Sequence, residues 1–329
     1  MAFLMTASLG TVQAGEVEEQ MAAAAHRFLN SLDADQRDAA TFDWADPDRY
    51  DWHFIPKDRP GLALMDMRQD QQQLAFALLS VPMSQQGYLK SLTIMSLEDV
   101  LHEMENFNPI RDSRLYQFSV FGEPAEEEAW GFRVEGHHLS LNFTIIDGEL
   151  VSATPSFYGA NPDKILSGPR AGEQILSAEQ AIALELIETL TEEQNEAAKV
   201  AEESPGDVLT GGNTQAEALE PVGISWDALE EEQQDMLAEL IATYLFRNTY
   251  DWAEPEMDRV LDSGSVSFAW AGVPEHREPH YYRIQADDLV IEYANTQNGN
   301  NHSHATLRRI DNDFARDALR RHLEEEHGE

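Results

Sequence analysis

Four histidines fall in two short runs whose types and spacing could do chemistry: His137-His138 in "GHHLSLNF" and His302-x-His304 in "NHSHATLRR". Side chains alternate along a strand, so His-x-His sets two imidazoles on one face. A third imidazole from another strand completes a donor set suited to Zn²⁺, Cu²⁺ or Fe²⁺, with one position open for water or substrate. The expected ligands are His302 and His304, with His137 or His138 as the third, and zinc or copper as the expected metal. Glu292 or Asp311 would act as general base or orient a ring. The chain has no cysteine, which removes thiolate ligands and a Cys nucleophile. No HExxH, GxSxG or Walker sequence occurs, which disfavours those hydrolase and nucleotide-binding classes.

The histidines depend on strands to position them. In Leu115 to Ser156, alternation puts His137 on the face of Leu139, Leu141 and Phe143, and His138 on the face of Ser140, Asn142 and Thr144. The second run follows Asn298-Gly299, a hairpin signal. A two-residue turn would pair Asn295 with His302 and Tyr293 with His304, gathering His137, His302 and His304 on the inner face. A longer loop would turn both histidines to the side of Glu292 and make His138 and Glu292 their companions. The sequence leaves both registers open. Arg133 and Arg283, each between apolar neighbours on a strand, could clamp a carboxylate or phosphate or simply pair with acidic side chains. Trp130 and Tyr282 could stack on a ligand, and Ser140, Asn142 and Asn301 could hydrogen-bond it. Asp313, before "FARDALRRHL", suits a helix N-cap, and His322 and His327 suit the end of that closing helix.

Helical periodicity covers two segments before each β region. "SLEDVLHEMENF" reads as a helix opening at Ser96, and "YDWHFIPKDRPGLALMDM" as an extended crossing that delivers Trp52 and Phe54 to a core. The β regions align without a gap at an offset of 150: Gly122 with Gly272, Pro124 with Pro274, Glu128 with Glu278, Arg133 with Arg283 and Leu139 with Leu289. The expected fold is therefore α+β and internally duplicated, with helical segments followed by antiparallel meanders in two related halves. The halves span 15–202 and 224–329, joined by an exposed connector at 203–223 and packed as one body.

Sixty-one acidic against 22 basic residues give a net charge of −39, which would repel a polyanion and argues against nucleic acid. No run approaches the roughly 18 apolar residues of a spanning helix. Residues 1–14 carry an apolar stretch ending in Val12-Gln13-Ala14, similar to the end of a secretory signal, though without a basic start. Export to the periplasm or medium is the expectation.

At "WGFRVEGHHLSLNF", "TPSFYGANP", "FAWAG", "YYRIQADDLVIEYANTQ", "NHSH" and "DNDFARDALRRH", the chain resembles a widespread bacterial and fungal family catalogued as domain of unknown function 3500. The likeness runs from about Phe28 to His327. It implies that His137, His138, His302 and His304 stand at hallmark positions. Ala315 and "QADD" depart from it, standing where the family usually has Gly and a Gly-Pro turn. The family brings no assigned reaction. The functional expectation is an exported, His-lined, metal-dependent enzyme of hydrolase type acting on a small or oligomeric substrate. The alternative is a non-catalytic periplasmic or extracellular ligand-binding protein.

Overall fold

The aromatic and β-branched runs pair into one sheet. In the computed structural model, residues 16–125, 128–216, 219–310 and 312–316 are described. The expected leader, Asp311 and the closing helix with His322 and His327 lie outside the described residues. Among the described residues the first part of the chain gives α1 (Glu16–Ser31), α2 (Ala34–Ala40), β1 (Thr41–Phe42), β2 (Leu62–Ala63), α3 (Gln69–Ser80) and α4 (Gln85–Met104). Then come β3 (Gln117–Phe121), β4 (Trp130–Gly136), β5 (Leu139–Ile146), β6 (Glu149–Ser152) and β7 (Ser156–Ala160). The second part gives α5 (Ser177–Thr189), α6 (Glu192–Ala198), β8 (Lys199–Ala201), β9 (Ile224–Ser225), α7 (Glu231–Leu245) and α8 (Tyr250–Asp262). It ends with β10 (Ser267–Gly272), β11 (His280–Gln285), β12 (Leu289–Ala294) and β13 (Ser303–Arg309). No helix among these is long and apolar enough to cross a membrane.

The strand order is β1-β3-β4-β5-β7-β13-β12-β11-β10-β8, antiparallel except at β1–β3 and β8–β10. The two meanders thus meet at β7–β13. This agrees with the α+β expectation of helices with a mostly antiparallel sheet. Strand registers recur at the sequence offset: Arg133 lies between Ser119 and Asn142, and Arg283 between Ala269 and Glu292.

Helix starts follow cap chemistry. Asp33 accepts from Gln36 N to open α2, and the Gln71 side chain accepts from Arg68 N to open α3. The Gln36 and Gln71 amides bond to each other, at 2.7 and 3.1 Å. Thr191, Gln194 and Gln233 repeat the arrangement at α6 and α7. α4 starts well before Ser96, at a Ser84 cap that accepts from Gly87 N. Gly87 interrupts the apolar period because a Cβ there would lie 2.0 Å from the Arg247 carbonyl oxygen, where the α3–α4 and α7–α8 links pack together.

One sheet face meets the helices. Phe132, Val134, Leu141, Phe143, Tyr282, Ile284, Ile291 and Leu307 join Phe28, Leu78, Ile94, Leu186 and Leu240 in the main core. The opposite, polar face is also buried, beneath two crossing segments. The first delivers Trp52 and Phe54, and Phe54 stacks on Phe157 at 3.9 Å between centroids. The second is the segment expected as an exposed connector. It does connect β8 to β9, yet Val208, Thr210 and Ala216 are buried. Buried arginines satisfy the carbonyls of these crossings. Arg133 donates to Asp48 O and Asp51 O, Arg283 to Glu220 O, and Arg308 to Thr210 O, Gly211 O and Asn213 O. Asp313 is no simple cap: it holds Arg308 at 2.6 Å and accepts from Arg309 N.

Asp163, in the loop after β7, is buried, and burial lifts its carboxyl to about 6 against hydrogen bonds from Ser303 and Gln174. A raised acid favours the folded state only while protonated. Its contribution is full below the unfolded value near 3.8 and is lost as pH rises through about 6. Asp163→Asn should therefore raise the melting temperature at pH 8 and change it little at pH 4, read by thermal denaturation at both.

Candidate metal centre

His137 and His138 are the two-residue turn between β4 and β5, with Gly136 paired to Leu139 across it, rather than the start of a strand. His138 has φ +62°, a left-handed conformation that costs an L-residue about 1–2 kcal/mol. Two backbone bonds hold it there: His138 N donates to Phe54 O at 2.9 Å, and Gly159 N donates to His138 O at 2.7 Å. Strand alternation therefore does not divide the pair as expected: the two rings stack on each other and part only in their partners. His137 meets Glu98 of α4 on the helical side, while His138 turns under the crossing segments.

On β13 the longer-loop register holds. His304 pairs with Ala294 and Ala305 with Tyr293, so His304 shares a face with Glu292, Thr306 and Arg308. Asn298, Gly299 and Asn300 all adopt positive φ, which makes the connection longer than a two-residue turn. The consequence is a trio of His138, His302 and His304, all buried, with ligand atoms within 4.8 Å of one another. His138 Nε2 lies 2.7 Å from His302 Nε2, which lies 3.0 Å from His304 Nε2. His137 is outside the trio. Its Nδ1 bonds Glu98 and lies 3.0 Å from Arg111 Nη1, and its ring stacks on His138 at 3.7 Å.

The environment disfavours a charge on His138 and His302. Burial, then the neighbouring imidazoles, hold His138 well below the usual range, and the same causes bring His302 down to about 3. Asp207 accepts from His304 Nδ1 at 2.6 Å, which turns His304 Nε2 toward the other two rings. Burial raises the Asp207 carboxyl, but the bond from His304, the neighbouring imidazoles and the Val208 amide together outweigh it and leave the group below its ordinary value. Both short contacts share His302 Nε2, which carries either one hydrogen or one lone pair and so can form only one of them as a linear hydrogen bond. A cation between them would satisfy every lone pair. Tetrahedral zinc needs ligating nitrogens about 3.3 Å apart, so the 2.7 and 3.0 Å pairs would spread by a few tenths of an ångström to hold it.

Packing fixes the rings. Phe54 and Phe157 meet His304 edge-on at 5.0 and 5.2 Å. Gly159, opposite His304 on β7, leaves room for His138: a Cβ there would sit 2.8 Å from its imidazole. A cavity of about 360 Å³ opens beside the trio, with Pro56, Arg111, Asn161, Asp207 and Asn298 in its wall.

Most other expected site residues hold structure instead. Both Glu292 oxygens are occupied, by Leu209 N, by the backbone and hydroxyl of Thr210, and by Tyr281 OH, so Glu292 is no free base. Arg133 and Arg283 are used on crossing-segment carbonyls. Trp130 and Tyr282 are core residues, the latter bonded to Tyr244 OH and Glu179 O. Asn142 donates to Ser140 Oγ and Pro155 O. Asn301 bonds both backbone groups of Lys164. Sequence reasoning missed Asp207, Phe54 and Gly159. Nothing near Asp207 in "SPGDVL" points to a partner on β13, and Gly159 shows its purpose only once His138 is in place.

Searches of curated proteins and of solved structures return no match. A family model described as protein of unknown function DUF3500 matches residues 14–316. With the model spanning all but the ends of the sequence, and both histidine runs inside it, the chain belongs to the DUF3500 family.

Proposed function

We propose that this protein binds a divalent transition metal, zinc or copper, through His138, His302 and His304, and hydrolyses a small or oligomeric substrate there. One observation carries the reading: three buried imidazoles from two distant hairpins bring their Nε2 atoms together with a single carboxylate, Asp207, behind one of them. The bound metal would activate water and polarise a scissile carbonyl. The chain's residues do the rest. Asp207 sets the tautomer of His304, Phe54 and Phe157 hold its ring, and the neighbouring cavity admits substrate. The 2.7 and 3.0 Å separations also suit a partly hydrogen-bonded, metal-free trio, as the rival ligand-binding reading requires.

We further propose export, supported by the apolar and small-residue run ending at Ala14, and an origin by internal duplication into halves at 15–202 and 224–329. The repeated element order, the paired glutamine caps and the offset of 150 between strand registers support the duplication.

Protein purified without chelator should carry about one zinc or copper per chain by elemental analysis, and His302→Ala/His304→Ala should lose it while keeping its circular dichroism spectrum. A metal-free protein that takes up neither ion on titration would overturn the proposal. Asp207→Asn should weaken zinc affinity about 10–100-fold, measured by competition with a chromophoric chelator. In the same assay Gly159→Ala should weaken it at least about tenfold by displacing the His138 ring. Gly206→Ala, whose added methyl meets nothing within 4 Å, should leave it unchanged.

A further inference from the structure

A second, larger cavity adjoins the metal centre. It measures about 590 Å³, within the range of about 300–1,000 Å³ usual for small-molecule sites. It shares Pro56 and His137 with the chamber beside the trio, so the two spaces are neighbours across one proline and one imidazole ring. Its wall includes Pro109, Ile110, Leu115 and Tyr116. Ile110 is 53 % exposed, and Met104 and Phe107, on the same stretch after α4, are 63 % and 70 % exposed. Ile55, at the chamber's own edge, is 45 % exposed. Single exposed apolar side chains are ordinary, but a run of them beside a cavity marks a binding surface.

The charges of the cleft are already engaged. Arg59 spends its donors on Glu135 and on the carbonyls of Lys57, His53 and Ile55. Lys57 faces Asp51. On the acidic side, Glu98 is held by His137 and Arg111, and Asp112 by Arg114. With Asp58 also in the wall and no disengaged cation among the lining residues described, the cleft offers nothing to a carboxylate or phosphate.

We infer that this cleft holds the uncharged, apolar body of a small acyl compound, an ester or amide, whose carbonyl head reaches the histidine trio past His137. The inference rests on the metal-dependent reading above and adds the substrate class to it. Hydrolysis would add water across the acyl C–O or C–N bond, giving a carboxylic acid and an alcohol or amine.

Hydroxamates separate the two ideas, because their head ligates zinc and their body can be varied. Isothermal titration of zinc-loaded protein should find octanohydroxamate at least about tenfold tighter than acetohydroxamate, since several methylenes leave water. Suberic acid monohydroxamate, of the same length but ending in a carboxylate, should show none of that gain. Ile110→Asp should abolish the gain, and Leu89→Asp, an exposed position outside both cavities, should keep it. Acetohydroxamate binding only with zinc, and octanohydroxamate binding no tighter, would overturn the cleft assignment and leave the metal reading intact. Equal tightness for the carboxylate-ended probe would overturn the uncharged class. Protein that takes up neither zinc nor copper would overturn the metal reading itself, and with it this extension.

Discussion

Where β13 lies against β7, with Ser303 opposite Ala160 and His304 opposite Gly159, two meanders far apart in the chain become one sheet. A one-residue slip there would send His302 and His304 to the helical face and leave His138 alone. Polar side chains fix the register beyond the ladder itself. Asn301 clamps Lys164 through both its backbone groups, Asp163 N donates to Asn301 O, and Tyr293 OH meets Ser303 Oγ at 2.9 Å. The residue expected to touch substrate thus serves the centre indirectly, by keeping two strands in step.

The polar face of the sheet shows how an acidic chain uses few cations. Arg49, Arg133, Arg283 and Arg308 are all buried there, out of 22 basic residues in the whole sequence. Their forked donors reach carbonyls of irregular segments that no ladder could satisfy, where an unpaired buried group would cost about 1–3 kcal/mol each.

The α+β class and the crossing that delivers Trp52 and Phe54 were legible because each is written in local residue pattern, whereas the alternation read through His137 and His138 failed because the two are a turn, with His138 at positive φ. The histidine trio was half legible. Both registers at Asn298-Gly299 obeyed the same alternation, and three successive positive-φ residues, which decide between them, leave only a faint trace in "NGN". Glu292, Arg133 and Arg283 have types and places that suit catalysis, but their partners come from segments about 60 to 85 positions away. The start of α4 was obscured by Gly87, whose reason is an approach to Arg247 from another helical link. Asp207 was invisible for the same cause: a carboxylate in a Pro/Gly stretch looks like solvent-facing loop until β13 lies beneath it.

At the His138 turn, the backbone is clasped from both sides before any ion arrives, by the Phe54 carbonyl and the Gly159 amide. An imidazole restrained in this way has little freedom left to surrender. On the metal-binding proposal, loading such a turn would cost little further ordering of its backbone, leaving the release of the ion's own hydration water as the larger adjustment.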